Sequence, residues 1–396
     1  MPAPSSSRAP SVLIVGAGVI GASVAWHLAS RGVRDVLLLD AGAEPGAGST
    51  ARATGGFRVQ FATAPNVRLS LLAREKLRRF ADDTGGDAGY RPVGYLFLAH
   101  DAAALAAFRD ARAVQHACGA NDPVELTPEQ AAAINPHVLL DGAVGAAWCP
   151  TDGTIRPMQI LRGYLDDALR RGARMRWGAR VAAIDRASDG RIARVHADGE
   201  AWTPDVVVNA AGAWAGTLAR LAGVGLPVRP VRRQIAVTAP VPAPLDDGFP
   251  MTIWTRDAFH LRVRDGRALL NWPVDTPGAG GDPFDLALHR PWLQVVRAFA
   301  DARVPALRGL PLDDAAHWTG LYEMSPDKTL VLGVDAACPN LVLANGSSGH
   351  GVMHAPAIGQ LVAELILDGR TGALDARPFR PSRFAEGDAL PVSDLL

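Results

Sequence analysis

SVLIVGAGVIGASVAWHLASRGVRDVLLLD, residues 11–40, decides how this chain folds. Val12-Leu13-Ile14-Val15 is a short apolar run stopped by glycine, the pattern of a strand buried on both faces. Gly16-x-Gly18-x-x-Gly21 follows without a spacer, and Val24, Ala25, Leu28 and Ala29 recur at helical spacing until Gly32. A second apolar run, residues 36–39, ends on Asp40. The chemistry of each glycine differs: Gly16 permits the tight turn, Gly18 lets a pyrophosphate reach the backbone, and Gly21 lets the helix pack close to the strands. Free N–H groups at the start of that helix and its positive dipole end then face an anion. Asp40 stands about 20 residues past the last glycine, where an acid accepts a ribose 2′-OH. An acid there, and not a base, favours a ribose without a 2′-phosphate.

Working outward, 396 residues leave room for two domains. The chain is 48% hydrophobic and 20% charged with a formal net charge of zero, so a polyanion or an anionic membrane is not its expected main partner. Cys118, Cys149 and Cys338 are odd in number and far apart, which suggests neither a disulfide framework nor a thiolate metal site, and no metal is expected. They point to a reducing, cytoplasmic setting. The apolar stretch 12–26 could imitate a signal peptide, but the fingerprint glycines interrupt it and no A-x-A-like exit follows. No apolar run has the length to span a bilayer. Residues 1–10, rich in Pro and Ser, read as a frayed tail.

After Asp40 comes a loop, then TARATGGFRVQF (residues 50–61), whose small residues and Gly55-Gly56 suit a backbone pressed against a flat ligand. Residues 66–80 are amphipathic, with their charged residues on a solvated face. A strand is expected over 90–99, a helix over 102–118, and a helix start at Thr127 with Pro128 in its first turn. Residues 142–148 read as a returning strand and 157–171 as a helix. Residues 174–185, 192–197 and 201–208 are expected to form a three-stranded meander, whose last strand runs into Asn209-Ala210-Ala211-Gly212-Ala213-Trp214. Strands at 228–239, 259–263 and 268–272 without helices between them read as an antiparallel sheet, with proline-rich loops at 240–250 and 273–283 and a helix at 293–300. The chain closes with a strand at 341–344, a glycine-rich loop at 346–351 and a helix at 353–368.

VLIVGAGVIGASVAWHLASRG, STARATGGFRVQF, VVVNAAGAWAG, GLYEMSPD and NGSSGHGVMHAPAIG together resemble the D-amino acid oxidase/sarcosine oxidase family of FAD-dependent oxidoreductases, closest to the branch of sarcosine oxidases and amino-acid dehydrogenase β-subunits. The likeness spans nearly the whole chain. It implies an α/β fold: a discontinuous Rossmann-type FAD-binding domain (residues 11–89, 142–222 and 319–396) and an α+β substrate domain on a mostly antiparallel sheet (90–141 and 223–318). It implies that Gly16, Gly18, Val19, Ile20 and Gly21 hold the pyrophosphate, Asp40 and Ala41 the ribose, and Val181 the adenine. Ser49, Thr50, Ala51, Thr54, Gly55 and Gly56 would lie along the flavin edge, and Ala211, Gly212 and Trp214 near the cofactor. Gly346, Gly349, His350, Gly351, Val352 and Met353 would face the flavin's pyrimidine side. The resemblance also implies an FAD bound without a covalent link, because Gly320-Leu321-Tyr322 lacks the tethering cysteine of some relatives and residues 49–61 lack the histidine of others.

Arg58 falls where relatives clamp a substrate carboxylate; its bland alternative is a surface arginine. Tyr322 resembles an active-site tyrosine or is simply half-buried. His260 and Arg262 share one strand face and either line the cavity above the flavin or form a solvent-facing stripe. His354, where some relatives carry lysine, is either a second carboxylate contact or a packed helix residue. The implied reaction is oxidation of a small carboxylate-bearing amine (N-methyl, cyclic or D-amino acid) to an imine that hydrolyses, with electrons passed to a carrier or to oxygen. A dehydrogenase is favoured over an oxidase. The other readings are a non-catalytic flavoprotein or subunit of a hetero-oligomer, and a flavin monooxygenase; the latter's Gly-Asp pair is replaced by Asn345-Gly346. Nothing points to nucleic acid.

Overall fold

The computed structural model describes residues 11–276 and 281–392. The expected tail at 1–10, part of the loop at 273–283 and the last four residues lie outside the described residues.

The opening stretch folds as its pattern dictates. Val12–Val15 is a fully buried strand, Val19–Ser30 a helix, and Val36–Leu39 a second buried strand parallel to the first. A Cβ on Gly21 would stand 1.9 Å from the Gly16 carbonyl oxygen, so only glycine lets the helix start this close to the turn. Six strands make this sheet, in the order Val331–Asp335, Cys338–Asn345, Val206–Asn209, Val12–Val15, Val36–Leu39, Arg174–Arg176. All neighbours are parallel except the first pair. Helices Val19–Ser30, Pro157–Arg170 and Gly351–Asp368 cover one face through a continuous apolar core. A meander of Val181–Arg186, Ile192–Ala197 and Glu200–Trp202 covers part of the other.

The second sheet has eight strands, ordered Trp318–Met324, Arg229–Pro240, Arg267–Asn271, Phe259–Arg264, Met251–Trp254, Tyr95–Ala99, Gly145–Cys149, Val124–Leu126. Only the pair Met251–Trp254 and Tyr95–Ala99 is parallel. Helix Arg290–Arg303 packs Trp292, Leu293, Val296 and Ala300 against its back. Helix Pro128–Ile134 begins as expected at Thr127, which with Gln130 forms a full capping box.

Several expectations are corrected. Residues 174–185 are two strands, Arg174–Arg176 at the edge of the parallel sheet and Val181–Arg186 in the meander, separated by Gly178 at φ +72°. Residues 201–208 likewise divide at Pro204, which has no N–H for a ladder. Gly145–Cys149 pairs with Tyr95–Ala99, and Trp318–Met324 pairs along its length with Arg229–Pro240, so both strands belong to the larger sheet. The expected boundaries at 142 and 319 had put them with the nucleotide-binding segments. An apolar strand's pattern tells that it is buried but not which partner it pairs with.

Candidate active site

The two sheets enclose a cavity of about 650 Å³. One end is made by Asp40, Ala41, Arg180 and Val181, the middle by residues 16–20 and 211–214, and the far end by side chains of the larger sheet. Every sequence-predicted site residue lines it except Gly21, Ala51, Gly346, Arg262 and His354.

At the first end, the Asp40 carboxylate accepts the N–H groups of Ala17 and Gly42, each at 2.7 Å, and still has lone pairs toward the cavity it lines. Thr50 Oγ1 accepts from Val19 N, so the side chain caps the helix that the glycines introduce. Gly18 faces open space, since an added Cβ would meet only Thr50 Oγ1 at 3.4 Å. At the loop before the last helix, a Cβ on Gly349 would come within 2.4 Å of the Tyr322 ring, so glycine is required where the two close on each other. Glu323 and Ser347, both lining the cavity, keep Glu323 Oε2 and Ser347 Oγ without a hydrogen-bond partner among the described residues. Burial pushes the Glu323 carboxyl up to about 7, offset in part by the N–H groups of Ser347 and Gly346.

The far end is built by register. Phe97, Ile253, His260 and Asn271 form one row across four neighbouring strands, and Tyr95 opposite Met251 forms the start of the next. All six line the cavity. Sequence reasoning found only His260 among them. The alternation of Tyr95 and Phe97 was the available signal, but it does not say which face meets a ligand.

Arg58 stands across from this wall. It is 4% exposed, not a surface arginine, and no carboxylate among the described residues is ion-paired with it. One Nη donates to the Gln60 carbonyl, the other lies 3.1 Å from His350 Nε2, and the guanidinium sits 4.0 Å from the Phe61 ring centroid. Asp152 holds the segment in place by accepting from Val59 N at 2.7 Å and Gln60 Nε2 at 3.1 Å. Burial lowers the Arg58 pKa to about 10, partly offset by Tyr95 and Asp152, so it stays positive at neutral pH. Its charge, after burial, holds His350 well below its usual range, so His350 Nε2 is an acceptor for Arg58.

Two expected site residues are displaced. Arg262 turns away from the cavity and donates to the Gly55 carbonyl at 2.5 Å, while Arg264 reaches the carbonyls of Ala53 and Thr54. These two strand neighbours brace the loop that lines the cavity and do not face it as a cavity wall or a solvent stripe. His354 is buried against Ser70 Oγ at 2.8 Å behind Phe61, the packed alternative. Tyr322 lines the cavity with its ring 5.5 Å from the Arg233 guanidinium. No group of His, Cys, Asp and Glu that could hold a metal is found among the described residues.

These features fit an elongated dinucleotide: an acid at one end, and a helix N-terminus with a bare glycine in the middle. They define a flavin-type nucleotide oxidoreductase. The family described as DAO, FAD dependent oxidoreductase, matches residues 11–365, and the chain belongs to it. FAD is therefore its cofactor. Among relatives, FAD-dependent oxidoreductase domain-containing protein 1 of Bos taurus is 30% identical over 95% of this chain and 85% of its own. Glycine oxidase of Geobacillus kaustophilus is 28% identical, covering 94% and 96%. The crystal structure of L-proline dehydrogenase from P. horikoshii has 28% identity and a TM-score of 0.88, over 97% of this chain and all of that one. No helix of the described residues is long and apolar enough to cross a membrane.

Proposed function

We propose that the chain oxidises a small amine bearing a carboxylate, of the N-methyl, cyclic or D-amino acid class. The observation that carries this is Arg58, a buried cation without a carboxylate partner in a cavity walled by Phe97, Tyr95, Met251 and Ile253. A planar guanidinium binds a carboxylate bidentately and fixes its orientation. Relatives named glycine oxidase and L-proline dehydrogenase act on such molecules, in keeping with this reading.

Residues 16–20 and 349–353 would hold FAD, which when bound would supply a two-electron acceptor for a substrate hydride. The protein's own residues do the rest. Arg58 anchors the carboxylate and so places the neighbouring C–H. The apolar wall excludes water, and with Arg58 it disfavours an ammonium, so the amine sits neutral with its lone pair free. When the hydride leaves carbon, that lone pair closes the C=N bond, and the imine is hydrolysed in water to a carbonyl compound and an amine. No Ser/His/Asp arrangement is needed.

Anaerobic mixing of the yellow holoenzyme with N-methyl, cyclic and D-amino acids should bleach the flavin with at least one of them. Bleaching by none of these, but by amines lacking a carboxylate, overturns the proposal.

A further inference from the structure

Arg232 and Arg233 are neighbours on the strand Arg229–Pro240 and point to opposite faces of it. Arg232 turns from the cavity and anchors the proline-rich loop by bonding Thr276, Asp285 and the Ala287 carbonyl. Arg233 stands opposite Gly320 on the strand Trp318–Met324, and Arg233, Ile235, Trp318, Gly320 and Tyr322 all line the cavity. Its side chain is 11% exposed, and its guanidinium lies 5.5 Å from the Tyr322 ring centroid. Nη1 donates to Asp275 Oδ1 at 2.8 Å and to the Arg232 carbonyl at 2.9 Å. Nε is sealed, but Nη2 has no partner among the described residues and keeps accessible surface. Asp275 is 63% exposed, does not line the cavity and is shared with Arg229 at 3.9 Å, so it compensates Arg233 weakly and from outside. The carboxylates that do line the cavity have donors of their own: Asp40 those of Ala17 and Gly42, Asp327 those of Arg383, and Glu323 Oε1 the Ser347 N–H. Two arginines with donors to spare therefore share one cavity. The Tyr322 ring connects them: it packs on Gly349, and the next residue, His350, lies 3.1 Å from Arg58.

We propose that Arg233 receives a second carboxylate of the substrate while Arg58 holds the first, so that the enzyme prefers amines with two carboxylates, such as acidic or N-carboxyalkyl amino acids. The inference rests on the carboxylate-amine reading above and narrows the substrate within it. The first carboxylate fills Arg58, which leaves the open donor of Arg233 to a second anion. A guanidinium suits this task, since its fork matches a carboxylate and its charge does not depend on working pH. The loop does not need Arg233, because Arg232 already anchors it. Ile235 and Trp318 on the same face are apolar and keep water from the new pair, which strengthens it relative to the exposed one. Nη2 can bind without displacing Asp275, whose negative charge then opposes that of the ligand.

The test compares kcat/KM within pairs that differ in one carboxylate: aspartate and asparagine, glutamate and glutamine (both enantiomers of each), and iminodiacetate and N-methylglycine. Binding of glutarate and of its monoamide is read in parallel from their perturbation of the flavin spectrum. The proteins are the holoenzyme and its Arg233→Gln, Arg233→Lys, Asp275→Asn, Lys328→Ala and Arg58→Ala variants, with flavin content checked in each. The wild type should favour the dicarboxylate in the best pair, and glutarate over its monoamide, by at least about tenfold, the scale of one hydrogen bond to a charged group. Arg233→Gln should bring both ratios to about one, and Arg233→Lys should keep part of them. Asp275→Asn should raise them severalfold, an effect that loosened packing does not produce. Lys328→Ala, which removes the other cation near this end, should leave the ratios as they are, and Arg58→Ala should weaken both members of a pair alike. Ratios of about one in the wild type, or ratios kept in Arg233→Gln or lost in Lys328→Ala, with carboxylates still bound, overturn this inference and leave the carboxylate-amine reading intact. Failure of every carboxylate to bind or react overturns both.

Discussion

Arg58 shows how a single residue acquires meaning from its surroundings. Its guanidinium spends donors on Gln60 and His350 and keeps others for a ligand. Arg58→Ala should lower kcat/KM by about 2–4 kcal/mol, the scale of losing one partner of a buried charged hydrogen bond, with FAD still bound. Unchanged kcat/KM would remove Arg58 from the site. Glu323 supports a second test at this scale. Its carboxyl has a folded pKa of about 7 against an ordinary 4.5, so the folded state holds the extra proton between those values. The stability this contributes is fully present below about 4.5 and is lost as pH rises through 7. Glu323→Gln, which cannot ionise, should therefore gain on the wild type as pH rises from 5 to 8, by up to about 3 kcal/mol. Urea unfolding of both proteins at the two pH values measures this, and parallel changes would contradict it.

At the scale of elements, local pattern carried some parts of the fold and not others. The strand–glycine–helix–strand–acid order of residues 12–40 is contiguous, and each step has one physical reading, so the nucleotide-binding half was legible. So was the glycine-rich loop before the last helix. The wall facing the substrate was not, because it is a row across four strands whose members lie up to 174 residues apart, from Phe97 to Asn271. Met251–Trp254 is four residues long, too short for alternation to announce it. Arg262 shares a strand face with His260, yet its length carries its head to the Gly55 carbonyl instead of the cavity. The C-terminal segment illustrates the same limit. Arg383, fully buried in the turn Pro381–Phe384, bonds both oxygens of Asp327 and the Thr329 carbonyl, pinning the chain's end to a turn at the cavity's edge. Burial alone would raise the Asp327 carboxyl, but the Arg383 hydrogen bonds outweigh it and hold it low. Arg383→Met should leave Asp327 buried and uncompensated and cost about 3–5 kcal/mol in urea unfolding. A loss under about 1 kcal/mol would show that the pair contributes little to holding this segment.

For the whole molecule, the question is how two sheets share one cofactor and where its electrons go. Cys149 and Cys338 are buried, no cysteine lines the cavity, and His350 Nε2 is occupied by Arg58, so a covalent tether has no free nucleophile among these groups. Acid precipitation should leave a yellow supernatant over a colourless pellet; colour in the pellet contradicts this. For the electron acceptor we propose a reading from the placement of charge. A compact ammonium held over the reacting face favours the superoxide formed in the first electron transfer to oxygen. Of the two lysines, Lys76 lies on the helix Ala64–Arg78, and Lys328 reaches the cavity only from an exposed turn beside Asp327. The larger sheet offers arginines instead. Arg262 and Arg264 are spent on loop carbonyls, and Arg233 is paired with Asp275 at 2.8 Å. Arg58 is an unpaired cation of the cavity, but its diffuse guanidinium is taken by the substrate carboxylate in the reading proposed above. With no ammonium on the larger sheet among the described residues, we propose a carrier as the better acceptor. Holoenzyme reduced anaerobically with dithionite and mixed with oxygenated buffer should therefore regain its yellow colour slowly, while an artificial carrier restores it fast. Recovery within milliseconds, with stoichiometric peroxide, would make the protein an oxidase and assign the role of the missing lysine to one of the paired arginines.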